Sequence, residues 1–103
     1  MGINLQKSVL ITWIIGPANS GKTSLAESIQ TFHKNTIVLD IDILREILQN
    51  PRYSDLLLNL AFLSKLLSDQ GFDVAVSAII DNEATKLIIT KHCNPQWVVL
   101  NES

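Results

Sequence analysis

The residues best suited to hold a phosphate group form one short run near the start of the chain. The run contains Gly16, Pro17, Ala18, Asn19, Ser20, Gly21, Lys22, Thr23 and Ser24. Glycine lets the backbone wrap so that successive N–H groups point inward at phosphate oxygens. Lys22 is placed to reach the outer phosphates of a nucleotide, and the Thr23 hydroxyl is a ligand for Mg²⁺. This spacing is a complete Walker A pattern, and it predicts that ATP and Mg²⁺ bind here.

Two simpler interpretations of this run stay open. It could be an ordinary corner between a strand and a helix, or a degenerate loop that keeps its shape without turning over nucleotide. The setting argues against the first, because an apolar run at residues 9–15 precedes the loop and a helical pattern begins at Lys22. Pro17 and Asn19 stand at variable positions of the pattern and do not decide between the interpretations.

A second group of charged residues follows the next apolar run. Asp40 and Asp42 come at its end, and Arg45 follows shortly after them. Because the carboxyl ends of parallel strands face the ligand in open α/β sheets, we expect both carboxylates beside the phosphate loop. A carboxylate there can hold Mg²⁺ or accept the proton of an attacking hydroxyl, and a guanidinium can clamp an anionic substrate. We therefore assign catalytic roles to Lys22, Asp42 and Arg45; the alternative is that an aspartate only caps the next helix.

Asp81 is a further carboxylate that follows an apolar run. At the end of a third strand it would hold Mg²⁺ through water, so that the predicted metal ligands are Thr23, Asp42 and Asp81. A cap for the helix that begins near residue 82 is an equally good interpretation of Asp81.

Several other chemically capable side chains are expected to be structural. His33 and His92 lie near predicted helix C-termini, where the helix dipole favours an imidazolium. Cys93 has no evident base partner, so we expect a buried or half-buried thiol. Trp13 and Trp97 fall on predicted strands and are expected in the core.

Short apolar runs alternate with helical stretches along the chain, which predicts a parallel sheet covered by helices. We expect strands at residues 9–15, 36–40, 74–80 and 97–100, and helices at residues 22–33, 43–48, 54–70 and 82–92. Ser54 is the expected cap of the third helix, Gly71 its stop, and its leucines at positions 56, 57, 60, 63, 66 and 67 are expected in the core. The prediction is a three-layer α/β/α P-loop NTPase domain of the nucleoside-kinase type over residues 1–103, with strand order 2-3-1-4.

Composition limits the classes of partner. The 103 residues are 47% hydrophobic and 17% charged, with a formal net charge of −2, so a folded domain is expected and a nucleic-acid partner is not. The apolar run before the phosphate loop is too short to span a bilayer, which favours a cytoplasmic protein without a membrane partner. The single cysteine agrees with a reducing compartment, and an uncovered fourth strand would favour a homodimer.

The two charged motifs together resemble the adenylylsulfate kinase family. The resemblance is carried by residues 16–23 and by the segment Leu39-Asp40-Ile41-Asp42-Ile43-Leu44-Arg45, with a looser likeness at residues 68–76. It covers about residues 9–80. It implies that Asp42 is the catalytic or metal-associated carboxylate and that Arg45 contacts the acceptor.

The sequence also departs from that family's pattern. Ile41 stands where the family has glycine, and the helix after Tyr53 is rich in leucine where the family has polar side chains that read the substrate. Residues 81–84 replace a Ser-Pro-aromatic-Arg run, and the family continues into a lid with further arginines. From these differences we expect weak ATP turnover and little preference for adenylylsulfate as the acceptor.

The leading functional prediction is an ATP-dependent small-molecule kinase that transfers the γ-phosphate to a hydroxyl-bearing acceptor. Its partners would be a nucleotide and that acceptor. Two alternatives are kept: a truncated nucleotide-binding module with little catalysis, and a polynucleotide 5′-kinase, against which the acidic balance argues.

Overall fold

Strands and helices alternate through the part of the chain that the structure, a computed structural model, describes: residues 9–49, 52–80 and 82–101. The strands are β1 (Ile11–Ile15), β2 (Thr36–Asp40), β3 (Asp73–Ala78) and β4 (Gln96–Val99). The helices are α1 (Lys22–Phe32), α2 (Ile41–Ile47), α3 (Tyr53–Asp69) and α4 (Glu83–Cys93). Among these residues, none of the helices is both long and apolar enough to cross a membrane.

The four strands form one parallel sheet in the order β2-β3-β1-β4, which confirms the predicted order. The central strands β1 and β3 are buried along nearly their whole length, as their continuous apolar runs predict for strands covered on both faces. Parallel pairing brings the carboxyl ends of all four strands to the same edge. The phosphate loop and the acidic segment after β2 therefore share that edge.

The core is divided between the two faces of the sheet, which gives the predicted three layers. On one face, Ile14 and Ala75 pack against Ala26 of α1. On the other face, Trp13 and Val76 pack against the leucines of α3 and the inner side of α4. The rings of Trp13 and Trp97 meet edge to face with 5.7 Å between centroids; Trp13 is a core residue as predicted, and the half-buried Trp97 packs against the core.

Some local predictions were wrong. Ser54 does not cap α3, because that helix already begins at Tyr53, and its N-cap is Arg52 without a side-chain cap. Leu66 is not a core residue: its side chain is 56% exposed, since it lies on the outer face of α3 with Phe62. The helix α2 begins two residues earlier than expected, because Asp40 caps it. Gly71 does end α3, with a left-handed φ of 94°.

Candidate nucleotide-binding site

The phosphate loop connects β1 to α1 through two residues with left-handed backbone. Asn19 has φ 63° and Gly21 has φ 93°, so the chain reverses direction within a few residues. Successive N–H groups in such a segment turn toward a common centre, which makes a concave site for an anion. Ser20, between them, has a buried hydroxyl with no hydrogen-bond partner among the described residues. The Ser20 hydroxyl is therefore a polar group of the loop that could bind a ligand.

The N-terminus of α1 is also open to a ligand. Gly21 is its N-cap and makes no side-chain hydrogen bond, and no acidic residue lies in the first turn. By contrast, the side chains of Asp40 and Asn82 cap α2 and α4. The first N–H groups of a helix need acceptors and carry a partial positive charge. At α1 these N–H groups can therefore bind an anion such as a phosphate.

The side chain of Lys22 folds back across the phosphate loop. Its Nζ donates a hydrogen bond of 2.7 Å to the carbonyl oxygen of Pro17, across the mouth of the loop. An ammonium group has three donors, so this bond leaves two for a phosphate oxygen. The side chain is thus held over the place where the loop would bind phosphate.

Gly16 is required by packing rather than by backbone freedom. A Cβ at this position would lie 2.6 Å from the carbonyl oxygen of Leu100 and 2.8 Å from Oγ of Ser20. The N–H of Leu100 donates in turn to the carbonyl of Ile15. The segment after β4 therefore packs directly against the first residue of the phosphate loop and supports it from behind.

Asp40 links the phosphate loop to the acidic segment. Its Oδ2 accepts a hydrogen bond from the Thr23 hydroxyl at 3.2 Å. Its Oδ1 accepts one from the backbone N–H of Asp42 at 2.9 Å, which caps α2. The Asp40 carboxylate therefore caps α2 and contacts the phosphate loop at the same time.

A cavity of about 430 Å³ lies where these elements meet. Its lining combines the loop with the ends of β2 and β3: Ala18, Asn19, Gly21, Lys22, Thr23, Ser24, Asp42, Ser77 and Ile79. Asp42 is exposed and faces the Walker A residues across the cavity, as predicted from its place at a strand end. Gly16 and Pro17 line a neighbouring apolar cavity of about 290 Å³ on the β4 side.

Arg45 does not line this cavity, but it contacts Tyr53, whose hydroxyl is bonded to the cavity residue Ile79. It occupies the last turn of α2, and its guanidinium carbon lies 6.0 Å from the centroid of the Tyr53 ring. The Tyr53 hydroxyl accepts a hydrogen bond of 2.9 Å from the backbone N–H of Ile79. Burial raises the pKa of Tyr53 and the charges of Asp42 and Asp40 add to that effect, whereas the Ile79 hydrogen bond and the charge of Arg45 lower it.

Comparison with known proteins agrees with this arrangement. No protein-family model matches the chain. The cytidine diphosphoramidate kinase of Campylobacter jejuni is 38% identical over an alignment of 84 residues, which covers 73% of this chain and 49% of that protein. The chain thus spans about half the length of the curated relative it matches.

Solved structures show the same architecture. The APS kinase of Mycobacterium tuberculosis superposes with a TM-score of 0.74 at 24% identity, covering 90% of this chain and 76% of that one. The chain has the fold of a P-loop kinase. A sugar kinase from a Janibacter species also shares the P-loop kinase fold, with a TM-score of 0.71 at 16% identity, covering 90% of this chain and 60% of that one.

Within this P-loop kinase fold, the structure brings most of the predicted site residues together. The residues from Ala18 to Ser24, except Ser20, share one cavity with Asp42, while Arg45 lies outside its wall. Asp81, the third predicted metal ligand, lies outside the described residues. Cys93 is buried, and burial raises its pKa to about 11, as expected of a structural thiol.

Three residues of the site were missed by sequence reasoning. Ser77 is a buried polar residue on β3, paired in register with Asp40, and it lines the cavity. A serine within an otherwise apolar strand is a signal that could have found it. Tyr53 and Ile79 gave no such signal, because the contact between them depends on how α3 returns to the sheet.

The side chains present suit Mg²⁺, which prefers oxygen ligands. Thr23, Asp40 and Asp42 supply a hydroxyl and two carboxylates at one edge of the sheet. Within residues 9–49, 52–80 and 82–101, no three His, Cys, Asp or Glu side chains form a group that could hold a metal by themselves. A magnesium ion here would therefore take part of its coordination from nucleotide phosphates and water.

Proposed function

We propose that the chain binds ATP with Mg²⁺ at the phosphate loop and transfers the γ-phosphoryl group to a small anionic acceptor. The observation that carries the proposal is the uncapped N-terminus of α1, facing a cavity that Lys22 and Asp42 both line. One side of the cavity offers donors for phosphate oxygens, and the other offers a carboxylate for the acceptor or the metal. Phosphoryl transfer depends mainly on such positioning and charge stabilisation.

Each residue has a distinct part in this reaction. The loop N–H groups and Lys22 would hold the β- and γ-phosphates and stabilise charge as the γ-phosphoryl group moves. Thr23 would hold Mg²⁺, which neutralises charge on the phosphate oxygens when it is bound, and Asp42 would act on the metal or on the acceptor proton. The acceptor hydroxyl oxygen forms the new bond to the γ-phosphorus, ADP leaves, and the Asp42 carboxylate accepts the hydroxyl proton.

The acceptor we infer is a small nucleotide that carries a further acidic group. Cytidine diphosphoramidate and adenylylsulfate, the compounds in the names of two similar kinases, are both of this kind. Arg45, in contact with the Tyr53 ring, is the group suited to its anionic end, because a guanidinium binds phosphate-like oxygens bidentately.

A second candidate is a nucleotide-binding module with little turnover. It is favoured by one observation: Lys22 is the only cation among the described residues that line the cavity. Kinases and related enzymes gain much of their rate from additional cations around the transferred phosphoryl group. This candidate shares the nucleotide site and differs only in the chemistry that follows binding.

Calorimetry and a transfer assay together test the proposal. We expect ATP with Mg²⁺ to bind the wild-type chain, and Lys22→Ala to bind about tenfold or more weakly, since a charge-assisted contact is lost. Lys65→Ala is the control, because Lys65 pairs with Asp69 on the exposed side of α3. Equal binding by wild type and Lys22→Ala would overturn the nucleotide site.

The transfer assay follows radiolabelled γ-phosphate into cytidine diphosphoramidate or adenylylsulfate. Label transfer to either compound by the wild type, and its loss in Lys22→Ala, supports the kinase. ATP binding without transfer to either compound supports the binding module.

A further inference from the structure

Tyr53 joins three elements around the edge of the candidate site. It is the first residue of α3, its ring lies under the Arg45 guanidinium of α2, and its hydroxyl is bonded to the backbone just after β3. The side chain is half-buried, with its hydroxyl directed at Ile79.

The bond to Ile79 fixes one wall of the phosphate cavity. β3 ends at Ala78, whose register partner on β1 is Ile15, so Ile79 is the first residue beyond the paired strand. Its N–H donates a hydrogen bond to the Tyr53 hydroxyl. Since Ile79 lines the cavity, the hydroxyl of Tyr53 sets where this wall stands relative to α3.

The contact with the Tyr53 ring leaves the N–H donors of the Arg45 guanidinium able to bind an anion. The ion pairs of the described residues join Arg52 with Asp55, Lys65 with Asp69, and Lys86 with Glu83, and none includes Arg45. A guanidinium above an aromatic face is attracted by the ring without using its N–H donors. Within the described part of the chain, Arg45 thus contacts the Tyr53 ring and makes no ion pair, so its N–H donors can bind an anion.

We propose that Tyr53 is a positioning residue for the acceptor. Its ring orients Arg45, and its hydroxyl holds the Ile79 backbone. Together these contacts fix the distance between the Arg45 guanidinium and the cavity wall at Ile79. The inference rests on the proposed function, which supplies the acceptor that Arg45 holds. It adds a requirement for the hydroxyl as well as for the ring. Phenylalanine at this position would keep the ring contact with Arg45 and lose the hydrogen bond that holds Ile79 in the cavity wall.

Kinetics with single substitutions separate this role from a general structural one. For Tyr53→Phe we expect the acceptor KM to rise about fivefold, the effect of one lost hydrogen bond, while the Kd for ATP stays within about twofold. Tyr53→Leu also loses the ring and should raise the acceptor KM further. Lys86→Met is the control, because Lys86 lies over the Trp97 ring at 5.3 Å, a contact of the same type away from the site.

Tyr53 is the only tyrosine of the chain, so its phenolate absorbance reports the Arg45 contact directly. Removing the cation in Arg45→Met should raise the phenol pKa, since a nearby positive charge stabilises the phenolate, whereas the charges of Asp42 and Asp40 act in the opposite direction. Lys86→Met should leave it unchanged. This measurement needs no nucleotide and no activity.

The outcomes distinguish this inference from the proposed function. A wild-type acceptor KM in Tyr53→Phe, or an unchanged phenol titration in Arg45→Met, overturns the positioning role and leaves the kinase standing. An equal rise in the ATP Kd and the acceptor KM of Tyr53→Phe also overturns it, because it indicates a general loosening of the fold. No transfer by the wild type to any acceptor overturns both.

Discussion

The hydroxyl of Thr23 donates a hydrogen bond to the carboxylate of Asp40, with 3.2 Å between Oγ1 and Oδ2. Thr23 belongs to the phosphate loop, and Asp40 ends β2 and caps α2. The bond therefore couples the nucleotide side of the site to the helix that carries Asp42 and Arg45.

Replacing Asp40 should affect both stability and nucleotide binding. Asp40→Ala removes the cap of α2 and the acceptor of the Thr23 hydroxyl, so we expect a loss of about 1–2 kcal/mol in the free energy of unfolding, measured with urea. Asn82→Ala is the matched control, because Asn82 caps α4 through a 2.8 Å bond from the N–H of Thr85. It should destabilise similarly and leave ATP affinity unchanged. Equal ATP affinities for the two variants would show that Asp40 acts only as a cap.

Asp42→Asn should spare ATP binding and remove phosphoryl transfer. Asp42 is exposed and lines the cavity opposite the loop, where its charge can act on a proton or a metal without holding the nucleotide. A surface change of this kind should alter stability by less than about 0.5 kcal/mol. Calorimetry and the transfer assay measure the two effects, with Asp69→Asn on the exposed face of α3 as the control. Wild-type turnover in Asp42→Asn would move the role to another carboxylate.

Gly16→Ala should weaken both folding and nucleotide binding. The added Cβ would meet a backbone carbonyl at 2.6 Å, which cannot be relieved by a side-chain rotation. Overpacking of this kind lowers the free energy of unfolding by about 1–3 kcal/mol, and the backbone that must move to relieve it belongs to the phosphate loop. Gly71→Ala is the comparison: its φ of 94° makes alanine strained, but the space around it is open. Gly71→Ala should lower the free energy of unfolding by about 1 kcal/mol and leave the ATP affinity unchanged. Unaltered ATP binding by Gly16→Ala would contradict the proposed support by Leu100.

The thiol of Cys93 should make stability fall at high pH. Burial raises its pKa to about 11 in the folded protein, above the ordinary value in the unfolded chain. The folded state then binds the thiol proton more tightly than the unfolded chain does. The contribution of this proton to the free energy of unfolding is therefore complete below about pH 8.5 and is lost as the pH rises through about 11. Thermal unfolding of wild type and Cys93→Ala across this range checks it. The wild type should lose more Tm than the variant. Rapid alkylation of the folded protein at pH 8 would contradict a buried, protonated thiol.

Features with a local signal were predictable from the sequence. The bounds of β2 were predicted as they occur, because an apolar run ends there in an aspartate. The order of the strands followed from alternating strands and helices with a phosphate loop after the first. One error came where two neighbouring residues could begin the same helix. The cap expected at Ser54 failed because α3 begins at Tyr53, whose hydroxyl is bonded to Ile79.

The sequence by itself determined the phosphate loop and the parallel sheet, since glycine positions and apolar periodicity act over neighbouring residues. Only the tertiary structure decided which carboxylate meets Thr23 and where Arg45 is held. The bond between Thr23 and Asp40 spans 17 positions, and that between Tyr53 and Ile79 spans 26. Such contacts form because parallel strands deliver distant strand ends to one edge of the sheet, and their partners are selected there by distance and direction.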